Sequence, residues 1–385
     1  MSGTAGLSAD VIVVGAGAAG AAATYHLAAR GRRVLLLEAQ AMPRRKPCGG
    51  GMAASVQRWF PFDLTPAVDQ VIEQVRFTWC LEDPVTAVLP GDSPFWIVRR
   101  SRLDAYLAEQ AVAVGAELED GSAVETIERH GNHWRVVSGG NVYTARGLVL
   151  ADGSSSRFSV PLGLGPARPR FAAAVAVEVE AQVLEPSTAR FEFGLVHHGF
   201  CWAFPRQGGY SIGVGTFIGR EAADADAVLA RLLPSLGLSP EAGERFSSPL
   251  RVWDGHHALH APGAVVVGDA ASLCDPFLAE GLRPALLSGV RAAEAMDRFL
   301  EAGTDSATAD AALADYTAAM RREWGESMAW GRRIAQVFYR VPKVGYQLGI
   351  KRPTAPQRIA QILSGEMGYG DIAQRVIKRL LFQRG

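Results

Sequence analysis

Residues Asp10–Gly20 read D-V-I-V-V-G-A-G-A-A-G. Val11–Val14 is an apolar, β-branched run of the kind a buried parallel strand needs. Gly15, Gly17 and Gly20 follow in G-x-G-x-x-G spacing. The first glycine permits a tight turn, the second carries no Cβ to block a pyrophosphate, and the third lets the next helix press against the sheet. That helix is expected from Ala18 to about Arg30. It is rich in alanine and directs its first N–H groups at phosphate oxygens. A second strand, Arg33–Leu37, ends at Glu38, 18 residues after Gly20. An acid at that distance can accept hydrogen bonds from an adenosine ribose. Gly-rich strand–helix turns also occur without ligands, but strand, turn, helix, second strand and acid together predict a dinucleotide site.

Two later segments repeat the opening of this pattern. Gly147–Gly153 reads G-L-V-L-A-D-G, and Ala264–Ala271 reads A-V-V-V-G-D-A-A. Nicotinamide enzymes have no need of a strand ending in G-D about 250 residues downstream, so the three runs in this order point to FAD held along its length. They also divide the chain. Residues 8–55, 98–155 and 262–300 form a discontinuous Rossmann-like cofactor lobe; 56–97 and 156–261 form a second lobe; 301–385 form a helical C-terminal region. The second lobe is strand-like. Phe171–Glu180 and Tyr210–Phe217 read as strands, and Arg190–Val196 puts Phe191, Phe193 and Leu195 on one face. Such alternation predicts a largely antiparallel sheet with one apolar face. The fold class is therefore α/β in the cofactor lobe and α+β overall. Helices are expected at about 279–300, 307–322 and 324–341, with shorter ones from 355 onward. Gly213 and Gly215, with Gly219 beyond, imitate a second nucleotide loop, but the spacing is G-x-G-x-x-x-G. These glycines read better as a strand that something flat approaches closely.

Length and composition agree with this division. A chain of 385 residues with 48% hydrophobic content implies two or three lobes. No apolar run reaches membrane-spanning length, and the N-terminus lacks the basic start of a signal peptide. Cys48, Cys80, Cys201 and Cys274 show no paired spacing, so reduced thiols in a cytoplasmic setting are expected. No pattern suggests a metal site. Net charge is zero, yet from Gly331 onward eleven Lys/Arg face Glu366 and Asp371, leaving +9 in that segment. Asp371–Phe382 places Ile372, Val376, Leu380 and Leu381 on one helical face, with Arg375, Lys378 and Arg379 beside them. This basic amphipathic helix either lies on the cytoplasmic face of an anionic membrane or packs with a solvated rim. A nucleic-acid partner is disfavoured, because the tail lacks stacking aromatics.

Four stretches carry a family resemblance. They are Arg45-Lys46-Pro47-Cys48-Gly49-Gly50-Gly51; Gly199–Arg206, G-F-C-W-A-F-P-R; the Gly213/Gly215 strand; and Gly268-Asp269-Ala270-Ala271 followed by Pro276 and Ala279-Glu280-Gly281-Leu282. Together they resemble the geranylgeranyl reductase family of FAD-dependent oxidoreductases, within the p-hydroxybenzoate hydroxylase-like superfamily. The resemblance covers about residues 9–300. It implies that Asp269 reaches the flavin's ribityl chain and that the helix after it points its N-terminus at the flavin. Asp152-Gly153 resembles the superfamily's D-G motif, and Arg100 in V-R-R-S-R-L-D its R-x-x-[FL]-D arginine, near the cofactor's phosphates or ribityl chain. The alternatives are a turn residue for Asp152 and a surface charge for Arg100. Ala19, Ala39, Lys46, Cys48, Gly49, Val124, Gly268, Gly281 and Leu282 complete the expected cofactor contacts. Two departures stand out. Phe200 replaces the family's usual tyrosine, so no phenol can donate a proton there. Ala279 replaces the first glycine of G-E-G, which tightens or shifts that loop.

The resemblance implies reduction of isolated C=C bonds in polyprenyl chains, carried by a lipid, a pigment or a prenyl diphosphate. An isolated alkene is unactivated, so hydride transfer must be accompanied by proton delivery inside an apolar, nearly dry tunnel. Trp202, Phe204, Phe191 and Phe193 are candidates to line it. Cys48 is the candidate acid or redox partner, or else a buried thiol that packs its loop. Lys46 or Arg206 is a candidate contact for a diphosphate or cofactor phosphate. Electrons are expected from NADPH, bound transiently, or from reduced ferredoxin. Rival readings are a monooxygenase or halogenase on the same fold, a prenyl-binding escort protein, and a carotenoid cyclase. W-x-F-P resembles a halogenase tryptophan motif, but the four lysines, Lys46, Lys343, Lys351 and Lys378, offer no match to the halogen-carrying lysine.

Overall fold

In the computed structural model, which describes residues 8–91, 94–217, 224–303, 305–352 and 354–374, Val11–Val14 is buried along its whole length. Burying one such valine stabilises the fold by about 1.5–3 kcal/mol. The strand can be wholly apolar because it has a parallel neighbour on each side, Gly147–Leu150 on one and Val34–Leu37 on the other. Ala264–Val266 pairs in parallel beyond Gly147–Leu150, and Glu117–Glu119 beyond Val34–Leu37. The short strand His260–Ala261 completes a six-stranded sheet. Three helices, Ala18–Ala28, Arg100–Ala113 and Leu282–Glu301, pack against it. Ala18–Ala28 is buried on nearly every side, so its alanines serve as spacers rather than as an amphipathic stripe. It crosses Leu282–Glu301 closely enough that a Cβ on Gly289 would collide with the Ala19 carbonyl oxygen.

Strands from two distant stretches share a second, seven-stranded sheet. Its order is Glu244–Val252, Arg170–Glu180, Gly209–Thr216, Gly199–Arg206, Thr188–Phe193, Gln74–Trp79 and Glu82–Val88. All pairs are antiparallel except Thr188–Phe193 with Gln74–Trp79. Gly199–Arg206 is buried at every position, because one face turns to the cofactor lobe and the other packs on Val228, Leu229 and Leu232 of the helix Ala225–Leu232. A small sheet of Gly51–Ala53, Phe95–Val98 and Val68–Ile72 links the two large ones.

Some expectations shift. Within 98–155, Val124–His130, His133–Ser138 and Asn141–Ala145 form a separate antiparallel sheet that sequence reading did not anticipate. Val124–His130 is mostly exposed and shows no apolar alternation to reveal it. The helix expected from 279 starts at Leu282, because Ala279 sits in the left-handed region at φ 57°. Ser306–Met320 continues through a π-helical turn at Arg321–Gly325 into Glu326–Arg340 without the expected break. Of the basic segment Asp371–Phe382, residues 375–382 lie outside the described residues.

The C-terminal region docks through aromatic donors. Tyr316 Oη donates to the Val266 carbonyl at 2.8 Å, Trp324 Nε1 to Leu273 at 2.8 Å, and Tyr339 Oη to Phe277 at 2.8 Å. Tyr369 Oη donates to Asp275 Oδ2 at 2.6 Å. The chain between Ala271 and Leu282 is buried and irregular, so its polar groups need partners from elsewhere. Tyr369→Phe removes one of them and leaves a buried carboxylate oxygen short of a donor. Denaturant unfolding is expected to show a loss of about 1–3 kcal/mol. A loss under about 0.5 kcal/mol, the size of an ordinary surface change, would contradict this docking.

Candidate active site

The turn after Val14 sets the site. Gly15 has φ 101°, and a Cβ there would lie 2.5 Å from the Ala151 carbonyl oxygen. A Cβ on Gly20 would strike the Gly15 carbonyl oxygen. Gly15 and Gly20 are thus interior spacers, whereas Gly17 faces open space. A Cβ on Gly17 would meet only two guanidiniums, Arg44 Nη2 at 3.5 Å and Arg100 Nη2 at 3.6 Å. Gly17 also heads the helix Ala18–Ala28, and no side chain caps that N-terminus. Two cations and the positive end of a helix dipole therefore converge on one point, which suits a diphosphate.

Buried carboxylates hold this cluster. Arg100 is buried and gives Asp104 two hydrogen bonds, at 2.9 and 2.7 Å. Burial works against its charge, and the Asp104 carboxylate more than offsets it, so its pKa is raised. Arg44 bridges Asp104 Oδ2 at 3.4 Å and Glu38 Oε1 at 3.2 Å. Glu38 is buried and also accepts the Ala16 N–H at 2.7 Å and the Gln40 N–H at 3.2 Å. Sequence reading missed Arg44 and Asp104. Arg44 was hidden in the run Arg44-Arg45-Lys46, and Asp104 was visible four residues after Arg100.

From Gly17 a single cavity runs between the two large sheets. It is bordered by Gly17, Ala19 and Arg100 at one end, then by Lys46, Cys48 and Gly49 from the cysteine loop. Gly153 and Gly268 border it from the strand ends, with Asp269, Gly281 and Leu282 close by. Trp202 and Phe204 close the far side. Glu38, Ala39, Val124 and Asp152 do not border it. Ala39 is exposed beyond Glu38. Val124 is buried, and its carbonyl accepts Arg157 Nη2 at 2.5 Å. Asp152 lies beneath the loop, where burial pushes its carboxyl up to about 6 while a Ser156 hydrogen bond pulls the other way. Arg251, also unforeseen, ties that loop to the next strand end: its guanidinium donates to Ser154 O at 2.7 Å, Ser159 Oγ at 2.8 Å and Ala270 O at 3.2 Å.

The cysteine loop is the seam of the site. Lys46 Nζ pairs with Asp269 Oδ2 at 3.3 Å. Cys48 is half-buried, and its Sγ accepts the Gly50 N–H at 3.3 Å. Its carbonyl accepts Arg206 Nη2 at 3.0 Å and Ser211 Oγ at 3.4 Å. Arg206 also pairs with Glu178 at 2.5 Å and is buried, so it positions the loop and offers nothing to a phosphate. A Cβ on Gly49 would lie 3.1 Å from both Trp202 Nε1 and Phe204 Cε2. The flat group against Gly213 is the indole of Trp202, and that against Gly215 is the ring of Phe217.

The rest of the wall is apolar. Phe191 meets Phe204 edge to face at 5.2 Å between centroids and packs at a tilt on Phe200 at 5.6 Å, and Phe200 packs on Phe217 at 5.0 Å. All four rings border the cavity, with Phe95. Phe193 does not. It sits behind the wall, on Phe338 at 5.3 Å and Tyr346 at 6.2 Å. Among the described residues, two that border the cavity carry a buried polar atom without a partner, Trp202 Nε1 and Glu280 Oε1. Ala279 keeps the left-handed conformation a glycine would take, so its loop retains the turn despite the added Cβ. Among the described residues, no cluster of His, Cys, Asp and Glu could hold a metal ion, and no helix is long and apolar enough to cross a membrane.

These features fit FAD. Gly17 with Arg44 and Arg100 suits the pyrophosphate, and Asp269 the ribityl chain. The aromatic cavity beyond Gly49 suits the ring system. Comparison with known proteins agrees. The model of the family described as FAD dependent oxidoreductase matches residues 10–66 and 85–297. The chain is 30% identical to the menaquinone reductase of Mycolicibacterium smegmatis over 75% of this chain and 76% of that protein. It is 27% identical to digeranylgeranylglycerophospholipid reductase 2 of Methanopyrus kandleri over 86% of each. A geranylgeranyl bacteriochlorophyll reductase-like protein from Thermoplasma acidophilum shares the fold at TM-score 0.77 and 20% identity, covering 92% of this chain and 91% of that one. The flavin-dependent brominase Bmp2 shares it at TM-score 0.71 and 21% identity, over 97% and 99%. The chain belongs to the FAD-dependent oxidoreductase family, with geranylgeranyl reductases among its relatives.

Proposed function

We propose that this protein saturates isolated C=C bonds of a polyprenyl chain. The observation that carries this reading is the aromatic slot continuous with the phosphate end of the cavity. Bound FAD, once reduced, supplies a hydride. The chain's own residues do the rest. Phe95, Phe191, Phe200 and Phe217 exclude water and match a branched hydrocarbon. Gly49, with no side chain, lets Trp202 and Phe204 pack directly onto the cysteine loop, which sets the wall of the slot. The Cys48 thiol borders the same space, held by Arg206 and Ser211 through its carbonyl. The reductant is NADPH or a reduced ferredoxin in this reading. The names of the relatives support a prenyl-bearing substrate. A halogenase reading is weaker here, because the lysine bordering the cavity, Lys46, is tied to Asp269.

The helices after Glu326 support a membrane-surface location. Val337, Val341, Val344 and Leu348 are each at least half exposed, on either side of the helix junction at Val341. Arg333, Arg340, Lys343 and Arg352 are exposed around them. The inner face of the same segment places Phe338 on Phe277, next to cavity-lining Leu278. An apolar stripe rimmed by cations suits an anionic lipid surface, from which a prenyl chain can pass inward.

Anaerobic incubation of the dithionite-reduced protein with geranylgeraniol, geranylgeranyl diphosphate or a geranylgeranyl pigment should give products heavier by two hydrogens per bond. Addition of oxygen, or a product of unchanged mass, would contradict reduction. Gly17→Asp places a carboxylate where the diphosphate belongs, and the purified variant should carry no FAD; normal occupancy would reject the phosphate assignment. Vesicles containing phosphatidylserine should sediment the wild type and lose most of it in Val341→Glu/Val344→Glu. Equal binding by the variant, or none by the wild type, would rule out this stripe.

A further inference from the structure

The reductase reading demands a proton as well as a hydride, and two buried carboxyl groups lie beside the cavity. Asp275 is fully satisfied. Its Oδ1 accepts the Phe277 and Leu278 N–H groups at 2.6 and 3.1 Å, and its Oδ2 accepts the Tyr369 hydroxyl. Glu280 is treated differently. Its Oε2 takes both bonds from Arg283, at 3.1 and 2.7 Å, and its Oε1 is buried with no partner. Glu280 itself borders the cavity, between Ala279 and Gly281. Its titratable neighbours are Arg283 in the first turn of the helix that follows, Asp275 and Cys274 on the preceding loop, and Tyr369 from the C-terminal region. Arg283 is the cation among these neighbours, facing two buried carboxyls; burial raises the Asp275 carboxyl as well, but its three donors and Arg283 oppose that rise. When two acids compete in one low-dielectric site, the one with fewer donors holds the proton.

We propose that Glu280 is kept as a neutral carboxylic acid and donates the proton for alkene reduction. The inference rests on the reductase reading above. In the step, the alkene π bond breaks. One carbon receives the hydride of the reduced flavin, the other receives the Glu280 proton, and two C–H bonds form. Glu280 is left as a carboxylate facing Arg283 and regains a proton from water. Burial, the largest effect, pushes the Glu280 carboxyl up to about 7, with Arg283 opposing and Asp275 reinforcing it. The acid form therefore predominates below pH 7 and is lost as pH rises through that value. The adjoining left-handed turn at Ala279 aims this segment, since Asp275 N donates to the Glu280 carbonyl at 3.0 Å across it.

The test uses the FAD-loaded full chain, with Glu280→Gln and Glu280→Asp. Infrared difference spectra across pH 5–9 should show, in the wild type, a buried carboxylic acid that titrates near neutrality and is missing in Glu280→Gln. Anaerobic single-turnover reoxidation by geranylgeraniol should slow about 100- to 10,000-fold in Glu280→Gln. FAD content and reduction by dithionite should stay unchanged. Glu280→Asp should restore part of the rate, and the wild-type rate should fall above neutral pH. Absence of the infrared band, or a Glu280→Gln rate within threefold of wild type, would overturn the proposal. A yellow wild type that shows the band yet reduces no prenyl substrate would overturn the reductase reading instead.

Discussion

Everything in this structure is arranged around two guanidiniums held over one glycine. Arg44 and Arg100 need charge balance in a nearly dry cleft, and Asp104 and Glu38 provide it. Removing one partner of such a buried pair costs about 3–5 kcal/mol, because the other charge is left uncompensated. The four side chains come from the second strand's end, the following loop and the helix Arg100–Ala113. Their mutual attraction therefore fixes three backbone segments at once. It leaves guanidinium N–H groups and a helix N-terminus pre-organised at the Gly17 end of the cavity, so an incoming diphosphate meets dipoles already aligned.

The same loop carries that order toward the second sheet. Two residues after Arg44, Lys46 reaches Asp269 at the end of a strand from another part of the chain. Cys48 is then tied by Arg206 and Ser211 to the seven-stranded sheet. Gly49 and Gly51 let Trp202, Phe204 and Phe95 close down on the loop. The segment thus works as a seam, polar where it faces phosphates and stripped of side chains where it faces rings. On the opposite side, Tyr369 and Tyr339 secure the 275–278 turn, so the C-terminal helices form part of the cavity wall through Leu363.

The fold was legible where a pattern is imposed by local chemistry. Val11–Val14, the three glycines after it and the strand ends at 152 and 269 announce themselves, because buried parallel strands and phosphate turns admit few residue types. Gly199–Arg206 was legible through its motif, though the target of Arg206 was not. A charge two strands away from its partner in the sheet carries no sequence signal, and Glu178 supplied that partner. Arg44 was obscured by its neighbours: Arg45 reaches out to exposed Glu244, while Arg44 turns inward, and nothing in the run distinguishes them. Phe193 read as tunnel lining because alternation assigns a face but not a depth. Glu280 was quoted as part of a motif without a role. Its meaning depends on which donors Asp275 takes first, which only three-dimensional structure reveals.

FAD would occupy this cavity, with Trp202 and Phe204 forming the wall beside its ring system. The most direct measurement is the visible absorption of the purified chain, followed by chromatography of the cofactor released on denaturation. A flavin spectrum is expected, with one FAD released per chain and tryptophan fluorescence quenched on binding. A colourless protein that takes up no FAD on reconstitution would contradict this assignment.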